Sequence, residues 1–125
     1  MMFEAEVPYY AVIFSSKRKA QEGDGYPEMA AQMVSLAQTQ PGFLGIESVS
    51  SAGEDGGDSS GKVITGITIS YWKDESSIKA WKSNLDHLLA QKKGKNDWYT
   101  HYEVRVSRVE RAYEGGFESK ADVTA

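Results

Sequence analysis

The strongest constraint on the fold of this chain is the order in which strand-like and helix-like patterns follow one another. Runs of β-branched and aromatic residues predict strands, and apolar residues spaced three or four apart predict helices. In chain order the predicted segments are a strand over 8–16, a helix over 26–40, strands over 43–50 and 62–72, a helix over 74–91 and a strand over 98–113. This order is typical of the ferredoxin-like βαββαβ split sandwich, an α+β fold with both helices on one face of an antiparallel sheet.

The length of 125 residues suits one domain with a core of its own. We expect that domain to span residues 8–113, with flexible tails at 1–7 and 114–125. Residues 51–61 are rich in Gly, Ser and Asp and have no large side chain to bury. They are therefore predicted to form a mobile loop.

The composition excludes several classes of function. With no cysteine, the chain cannot form a disulfide, a thiolate nucleophile or a cysteine-based metal site, and no ligand spacing favours any other metal site. A net charge of -4 gives no basic patch for nucleic acid. No apolar run approaches the ~20 residues of a membrane span, and the acidic first residues do not resemble a signal peptide. We expect a soluble cytoplasmic protein that binds neither nucleic acid nor membrane.

Apolar residues occupy both faces of several predicted strands. In a ferredoxin-like sheet the helices cover only one face, so an apolar second face indicates a partner surface. The simplest partner is a second copy of the same chain, related by a two-fold axis. The sequence therefore predicts a homodimer formed by packing the two open sheet faces together.

The stretch from strand 62–72 into the following helix is predicted to hold any pocket. Gly66, Thr68 and Ser70 repeat every second residue, so they share one strand face and leave volume above it. Trp72 continues that face, and Trp81 follows on the helix, so the two indoles could frame the volume. The alternatives are that bulky side chains fill the space, or that this face is the dimer face.

The two histidines are the candidate catalytic residues. His87 follows Asp86 on the second helix, but on a continuous helix it points away from the apolar stripe, which favours a surface position. His101 begins the last strand, where a half-buried, hydrogen-bonded histidine is the ordinary case. A histidine in a pocket could remove a phenolic proton, because its pKa lies near neutral pH.

Several short motifs resemble the antibiotic biosynthesis monooxygenase domain family of the dimeric α+β barrel superfamily. They are the segments Pro41–Glu47, Ile69–Trp72, Ile78–Trp81, His87–Gln91, Trp98–Tyr99 and Val109–Arg111. The resemblance covers roughly residues 8–113 and implies the dimeric barrel fold of small stand-alone bacterial members. The superfamily includes cofactor-independent oxygenases of polyketide phenols, haem-degrading enzymes and many proteins without an assigned role.

The resemblance does not extend to the haem-degrading pattern. In those members a helix tryptophan is followed by a ligand histidine, and the first strand carries an asparagine. Trp81 matches the tryptophan, but Gln91 occupies the histidine position and Ser15 lies near the asparagine position. We therefore expect no bound cofactor and no useful haem affinity.

Two classes of function remain open. One is a cofactor-independent monooxygenase that acts on a small aromatic or polyketide-like compound. The other is a non-catalytic dimeric module that binds a small apolar ligand or serves a stress response. For either class the predicted pocket residues are Thr68, Ser70, Tyr71, Trp72, Trp81 and Gln91, with His87 and His101 as candidate catalytic groups.

Overall fold

The computed structural model describes residues 5–20, 23, 25–53, 62–91 and 99–116, and for residues 20, 52, 53, 62 and 88–91 it describes the backbone alone. The elements are β1 (Tyr9–Ala20), α1 (Tyr26–Gln38), β2 (Phe43–Gly53), β3 (Lys62–Trp72), α2 (Glu75–Gln91) and β4 (Tyr99–Val109). The four strands form one antiparallel sheet in the order β2-β3-β1-β4. The protein has the ferredoxin-like α+β fold that the order of its segments predicts.

The central strand β1 is longer than predicted. The predicted strand ended at residue 16, but β1 continues to Ala20 and pairs there with the first residues of β3. Lys17 and Lys19 are exposed, so a charged sequence can extend the strand without burying an ammonium group.

The strand β2 is also longer than predicted. Residues 51–53 were expected in a mobile loop, but they are the last residues of β2 and pair with Val63–Thr65 of β3. Residues 54–61 lie outside the described part of the chain, so the rest of the loop prediction stays a prediction.

Two elements end earlier than their sequence patterns suggest. α1 ends at Gln38 instead of residue 40, because the N–H groups of Thr39 and Gln40 turn back to carbonyl groups three residues earlier, at 3.2 and 3.1 Å. β4 ends at Val109 instead of residue 113. Its partner Tyr9 is the first residue of β1, so the chain beyond Val109 has no strand to pair with.

Asp74, the residue before α2, caps the N-terminus of that helix. Its Oδ1 accepts hydrogen bonds from the Ser77 N–H at 2.9 Å, the Ser77 hydroxyl at 2.7 Å and the Ser76 hydroxyl at 3.0 Å. These bonds favour the ionised carboxylate and hold the pKa of Asp74 below its ordinary value. A capped first turn fixes where α2 begins relative to β3.

The core lies between the sheet and the two helices. Its buried members are Val12, Ala37, Trp72 and Ile78, with Tyr10, Phe43 and Trp81 packed against them. We call the sheet face that carries Trp72 the helix side and the opposite face the open side. On the open side Val49 is 71% exposed and Ile67 is 40% exposed, so this face does present apolar surface.

A bulge in β2 divides its side chains between the two faces. Phe43 lies opposite Trp72, whereas Gly45 lies opposite Tyr71, so Leu44 is an extra residue in the pairing. Strict alternation along the predicted strand would put Phe43 on the same face as Glu47, but the bulge separates them. Phe43 lies on the helix side against Trp72, and Glu47 lies on the open side.

No helix in the described ranges is both long enough and apolar enough to cross a membrane.

Candidate functional site

The helix side of β3 begins with small residues and ends in a large one. Gly66, Thr68, Ser70 and Trp72 alternate along this side, opposite Ser16, Phe14, Val12 and Tyr10 of β1. A β-carbon on Gly66 would meet only ordinary contacts, the nearest at 3.7 Å. The side chains on this face are therefore small near Gly66, which leaves space beneath the helices, and large at Trp72, which fills it.

Trp72 is a core residue. Its side chain is fully buried, with the Phe43 ring at 5.5 Å and the Trp81 ring at 5.3 Å between centroids. Its indole N–H donates a 2.8 Å hydrogen bond to the hydroxyl of Ser70, which is itself buried. Because its faces are covered and its polar atom is satisfied, Trp72 can support a site but offers little surface to a ligand.

Trp81 of α2 is different, because it is only half-buried. Its Nε1 is shielded from water but has no hydrogen-bond partner among the described residues. A buried donor without a partner costs about 1–3 kcal/mol, so such a group calls for an explanation. The indole lies against Trp72 and can donate to an acceptor oxygen of a molecule bound beside it.

The structure places Tyr71 on the open side of the sheet, away from Trp72. Its ring packs edge-on against Tyr9 at 6.0 Å, and its hydroxyl donates a 3.0 Å hydrogen bond to Glu47. Burial, together with the bond to the Glu47 carboxylate, raises the pKa of Tyr71 to about 12. Within one chain, Tyr71 and Trp72 cannot line the same volume.

His101 is likewise on the open side, opposite Lys17. Its side chain is 65% exposed, and its Nε2 lies 3.1 Å from a carboxylate oxygen of Glu103. The His101 ring and the Arg105 guanidinium hold the pKa of Glu103 below its ordinary value. The expectation that His101 and Trp72 border one pocket does not hold within a single chain, because alternation along β4 turns the ring to the other face.

The remaining predicted residues lie on α2. His87 is exposed and falls half a helical turn away from the buried face marked by Ile78. Gln91 ends α2, and its side chain is outside the description. The structure therefore brings Ser70, Trp72 and Trp81 into contact, and Thr68 shares the strand face of Ser70. His101 lies on the opposite face of the sheet, and His87 lies on the exposed face of α2.

The sequence reasoning missed an aromatic cluster at the other end of the helix side. Tyr99 contacts Phe14 at 5.2 Å and Tyr26 at 5.8 Å, and the Arg18 guanidinium lies 3.7 Å from the centre of the Tyr26 ring. Tyr102 stacks on Phe14 at 5.5 Å. The rings come from β1, β4 and the first residue of α1, so the cluster depends on how β1 pairs with β4, which no local sequence pattern reveals.

Within this cluster the hydroxyl of Tyr99 donates a 3.1 Å hydrogen bond to the hydroxyl of Tyr26. Burial is the main reason that the pKa of Tyr99 is raised, and the bond to Tyr26 adds to it. The cluster therefore consists of uncharged aromatic rings with one cation, the Arg18 guanidinium, stacked on the Tyr26 ring. In the described ranges, no three of the His, Asp and Glu side chains converge as a metal site would require.

The sheet order and the helix layer on one face of the sheet define a ferredoxin-like α+β protein. The model of the antibiotic biosynthesis monooxygenase family matches residues 8–93, and the chain belongs to that family. It is 49% identical over 106 residues to the uncharacterized protein YqjZ of Bacillus subtilis (strain 168), an alignment that covers 85% of this chain and 83% of that protein.

A second relative has a named activity. The chain is 26% identical over 100 residues to jasmonate monooxygenase ABM of Pyricularia oryzae, covering 80% of this chain but only 43% of that protein. Among solved structures, a dimeric ferredoxin-like protein of unknown function from Thermobifida fusca superposes with a TM-score of 0.58 at 10% identity. That superposition covers 87% of this chain and 100% of the other, and it shows a shared fold.

Proposed function

We propose that this protein is a cofactor-independent monooxygenase that acts on a small aromatic or polyketide-like compound. Membership of the family and the relative named as a monooxygenase support the reaction class. The observation that carries the site is the buried indole N–H of Trp81, which has no partner among the described residues. It gives a bound molecule one directional hydrogen bond in an otherwise apolar setting.

In this proposal the ligand lies against Trp81 and over Thr68 and Gly66, where the side chains of the sheet are small. The Trp72 ring packs against the Trp81 ring, and the hydroxyl of Ser70 accepts the indole hydrogen bond of Trp72. An acceptor oxygen of the ligand takes the Trp81 hydrogen bond. Negative charge that develops on that oxygen is stabilised by a donor that is already in place and needs no reorganisation.

The substrate itself supplies the electrons in this proposal. A phenol with a reactive CH2 group loses a proton and reacts with O2 at carbon. One oxygen atom becomes a carbonyl and the other leaves as water, so CH2 and O2 give C=O and H2O. His87 and His101 stay candidates for the proton acceptor only as a prediction to be tested.

The test is oxygen uptake with a hydroxyanthrone as the model phenol. Trp81→Phe keeps the ring and removes the N–H, and we expect the rate to fall at least tenfold, which corresponds to about 1.4 kcal/mol. Trp98→Phe is the matched control, because it makes the same change at the tryptophan that the proposal does not use. His87→Ala and His101→Ala are measured beside them to test the proton acceptor.

The outcomes separate the two classes of function. Oxygen uptake that depends on the Trp81 N–H supports the oxygenase. Saturable quenching of tryptophan fluorescence without oxygen uptake would replace it with the ligand-binding module. Equal rates for wild type and Trp81→Phe would remove this site from the proposal.

We further propose that the working form is a homodimer, formed by packing the open sides of two sheets. The exposed Val49 and Ile67 on that side support it, and one solved structure with this fold is described as dimeric. An interface of this kind should exceed about 1,000 Å². Light scattering at micromolar concentration should give twice the mass of one chain, and a monomer would contradict the proposal.

A further inference from the structure

Arg18 places a positive charge on the helix side of the sheet. It follows Phe14 and Ser16 in the alternation along β1, and it lies opposite Ile64 of β3. Its guanidinium lies 3.7 Å from the centre of the ring of Tyr26, the first residue of α1, so the side chain turns toward that helix. The proposed function does not use this cation.

The charge of Arg18 acts within the aromatic cluster. The ring of Tyr99 lies 5.8 Å from that of Tyr26, and the two hydroxyls are joined by a hydrogen bond. Burial raises the pKa of Tyr99 and the bond to Tyr26 adds to the rise, whereas the charge of Arg18 acts in the opposite direction. Arg18 therefore favours negative charge beside rings that exclude water.

No carboxylate of the four strands lies on the helix side. Glu47 and Glu103 are the acidic residues of these strands, and both lie on the open side, opposite Ile69 and Ser15. The acidic residues of α1 and α2 are all exposed: Glu28, Glu75 and Asp86. Although the chain has a net charge of -4, an anionic ligand on the helix side meets no like charge from the sheet.

The cation lies further along the strands from the ligand site proposed above. That ligand lies over Thr68 and Gly66, and the next β3 residue on the same face is Ile64, the partner of Arg18. The step from Thr68 to Ile64 is about 13 Å, because a strand rises about 3.3 Å per residue. A flat ligand that accepts the Trp81 hydrogen bond at one end therefore extends over small residues toward Arg18 at the other.

We propose that the substrate carries a carboxylate at the end remote from Trp81 and that Arg18 binds this carboxylate. The inference rests on the proposed function for the position of the aromatic end. Tyr26 covers a face of the guanidinium, whereas a carboxylate binds the N–H groups at its edge, so the two contacts are compatible. Two parallel hydrogen bonds to a planar guanidinium also fix the direction of a flat ring system. Arg18 thus selects acidic substrates, and Trp81 binds their reactive end.

Binding of an acid and its neutral ester tests this selection. The probes are a hydroxyanthrone carboxylic acid and its methyl ester, titrated without oxygen and followed by quenching of tryptophan fluorescence. Wild type should bind the acid about tenfold more tightly than the ester, because a charge-assisted pair of hydrogen bonds is lost in the ester. Arg18→Gln should remove this preference by weakening the acid alone. Arg18→Lys should keep part of it, since an ammonium group keeps the charge but not the planar pair of bonds.

Lys17 provides the matched control, because it is the neighbouring cation and lies on the open side. Lys17→Gln makes the same change in net charge and should leave both dissociation constants unchanged. Thermal unfolding checks that each variant stays folded. Equal affinity of wild type for acid and ester would overturn the proposal. An Arg18→Gln variant that weakens both probes equally, or a Lys17→Gln variant that also loses the preference, would do the same.

Oxygen uptake with the same two probes separates this inference from the proposed function. If the acid is preferred through Arg18 but no oxygen is consumed, the carboxylate site stands and the ligand-binding module replaces the oxygenase. If oxygen uptake depends on Trp81 but acid and ester give the same KM and the same affinity, the oxygenase stands and the carboxylate site is wrong.

Discussion

Gly42 and Ser77 lie so close together that a β-carbon built on Gly42 would come within 2.6 Å of the Ser77 β-carbon. Gly42 also has a φ of +84°, and its carbonyl accepts a 2.8 Å hydrogen bond from the Lys73 N–H. The turn between α1 and β2 is thus fixed against the first turn of α2. This contact joins the chain that follows α1 to the start of α2.

Replacing Gly42 should therefore destabilise the protein more than replacing a glycine whose α-carbon has no close neighbours. Gly42→Ala combines left-handed strain of about 1–2 kcal/mol with overpacking of about 1–3 kcal/mol. Gly23→Ala is the matched control, because Gly23 has a φ of +76° but no atom of the described residues lies within 4 Å of the added carbon. Urea unfolding of both variants gives the comparison, and equal losses would contradict the close contact.

Removing the Ser70 hydroxyl should leave the indole N–H of Trp72 buried without a partner. We expect Ser70→Ala to lower the free energy of unfolding by about 1–3 kcal/mol. In a Trp72→Phe background the same change should cost much less, since no donor remains to be orphaned. A double-mutant cycle by denaturant unfolding measures the difference, and additive effects would show that the bond contributes nothing.

The stabilising effect of Asp74 should depend on pH. Hydrogen bonds from Ser77 and Ser76 lower the pKa of Asp74 in the folded protein, so its contribution is present above the unfolded value of 3.8 and is lost as the pH falls through the folded value. Asp74→Asn should therefore lower Tm at neutral pH and match wild type in strong acid. Asp86→Asn, on the exposed face of α2, is the control. A Tm difference that stays constant with pH would refute this assignment.

The pKa of Tyr71 should lie above its ordinary value and should depend on Glu47. Burial is the larger cause of its raised pKa, and the hydrogen bond to Glu47 is the next. Glu47→Gln should therefore bring the pKa down from about 12 but leave it above 10.0. Stability from this tyrosine is present below pH 10.0 and is lost as the pH rises toward 12. Carbon-13 NMR of labelled tyrosine, assigned with Tyr71→Phe, measures both values, and no change in Glu47→Gln would contradict the prediction.

Haemin should not bind usefully. The position that matches the ligand histidine of haem-degrading relatives is Gln91, which has no imidazole nitrogen for iron. Titration of the purified protein with haemin should give no sharp Soret shift at one equivalent. A sharp shift that disappears in His87→Ala would show that His87 takes the ligand role instead.

The sequence predicted the elements of this fold well because each carries a strong local signal. The bounds of β3 agree with the pattern, and Asp74 caps α2 as its position suggests. The errors arose where pairing decides the outcome. β1 continues through Lys17 and Lys19 because β3 and β4 flank it, and the turn of Phe43 to the helix side depends on a bulge that no periodicity reveals.

The candidate site was harder to predict than the fold. Alternation alone placed Thr68, Ser70 and Trp72 together, and the structure agrees. The indole N–H of Trp72 is satisfied by one side-chain contact, to Ser70, whereas that of Trp81 has no partner in the described ranges. Sequence patterns do not specify such contacts. His101 was misplaced relative to Trp72 because its face depends on how β4 pairs with β1.

The extra residue Leu44 has a consequence for how this chain can change over time. Because it switches the alternation of β2, Phe43 fills the helix side while Glu47 reaches Tyr71 on the open side. Deleting Leu44 would force one of these two residues onto the opposite face. While the bulge is present, substitutions on the helix side, where the ligand site is proposed, and on the open side, where the dimer interface is proposed, can accumulate separately.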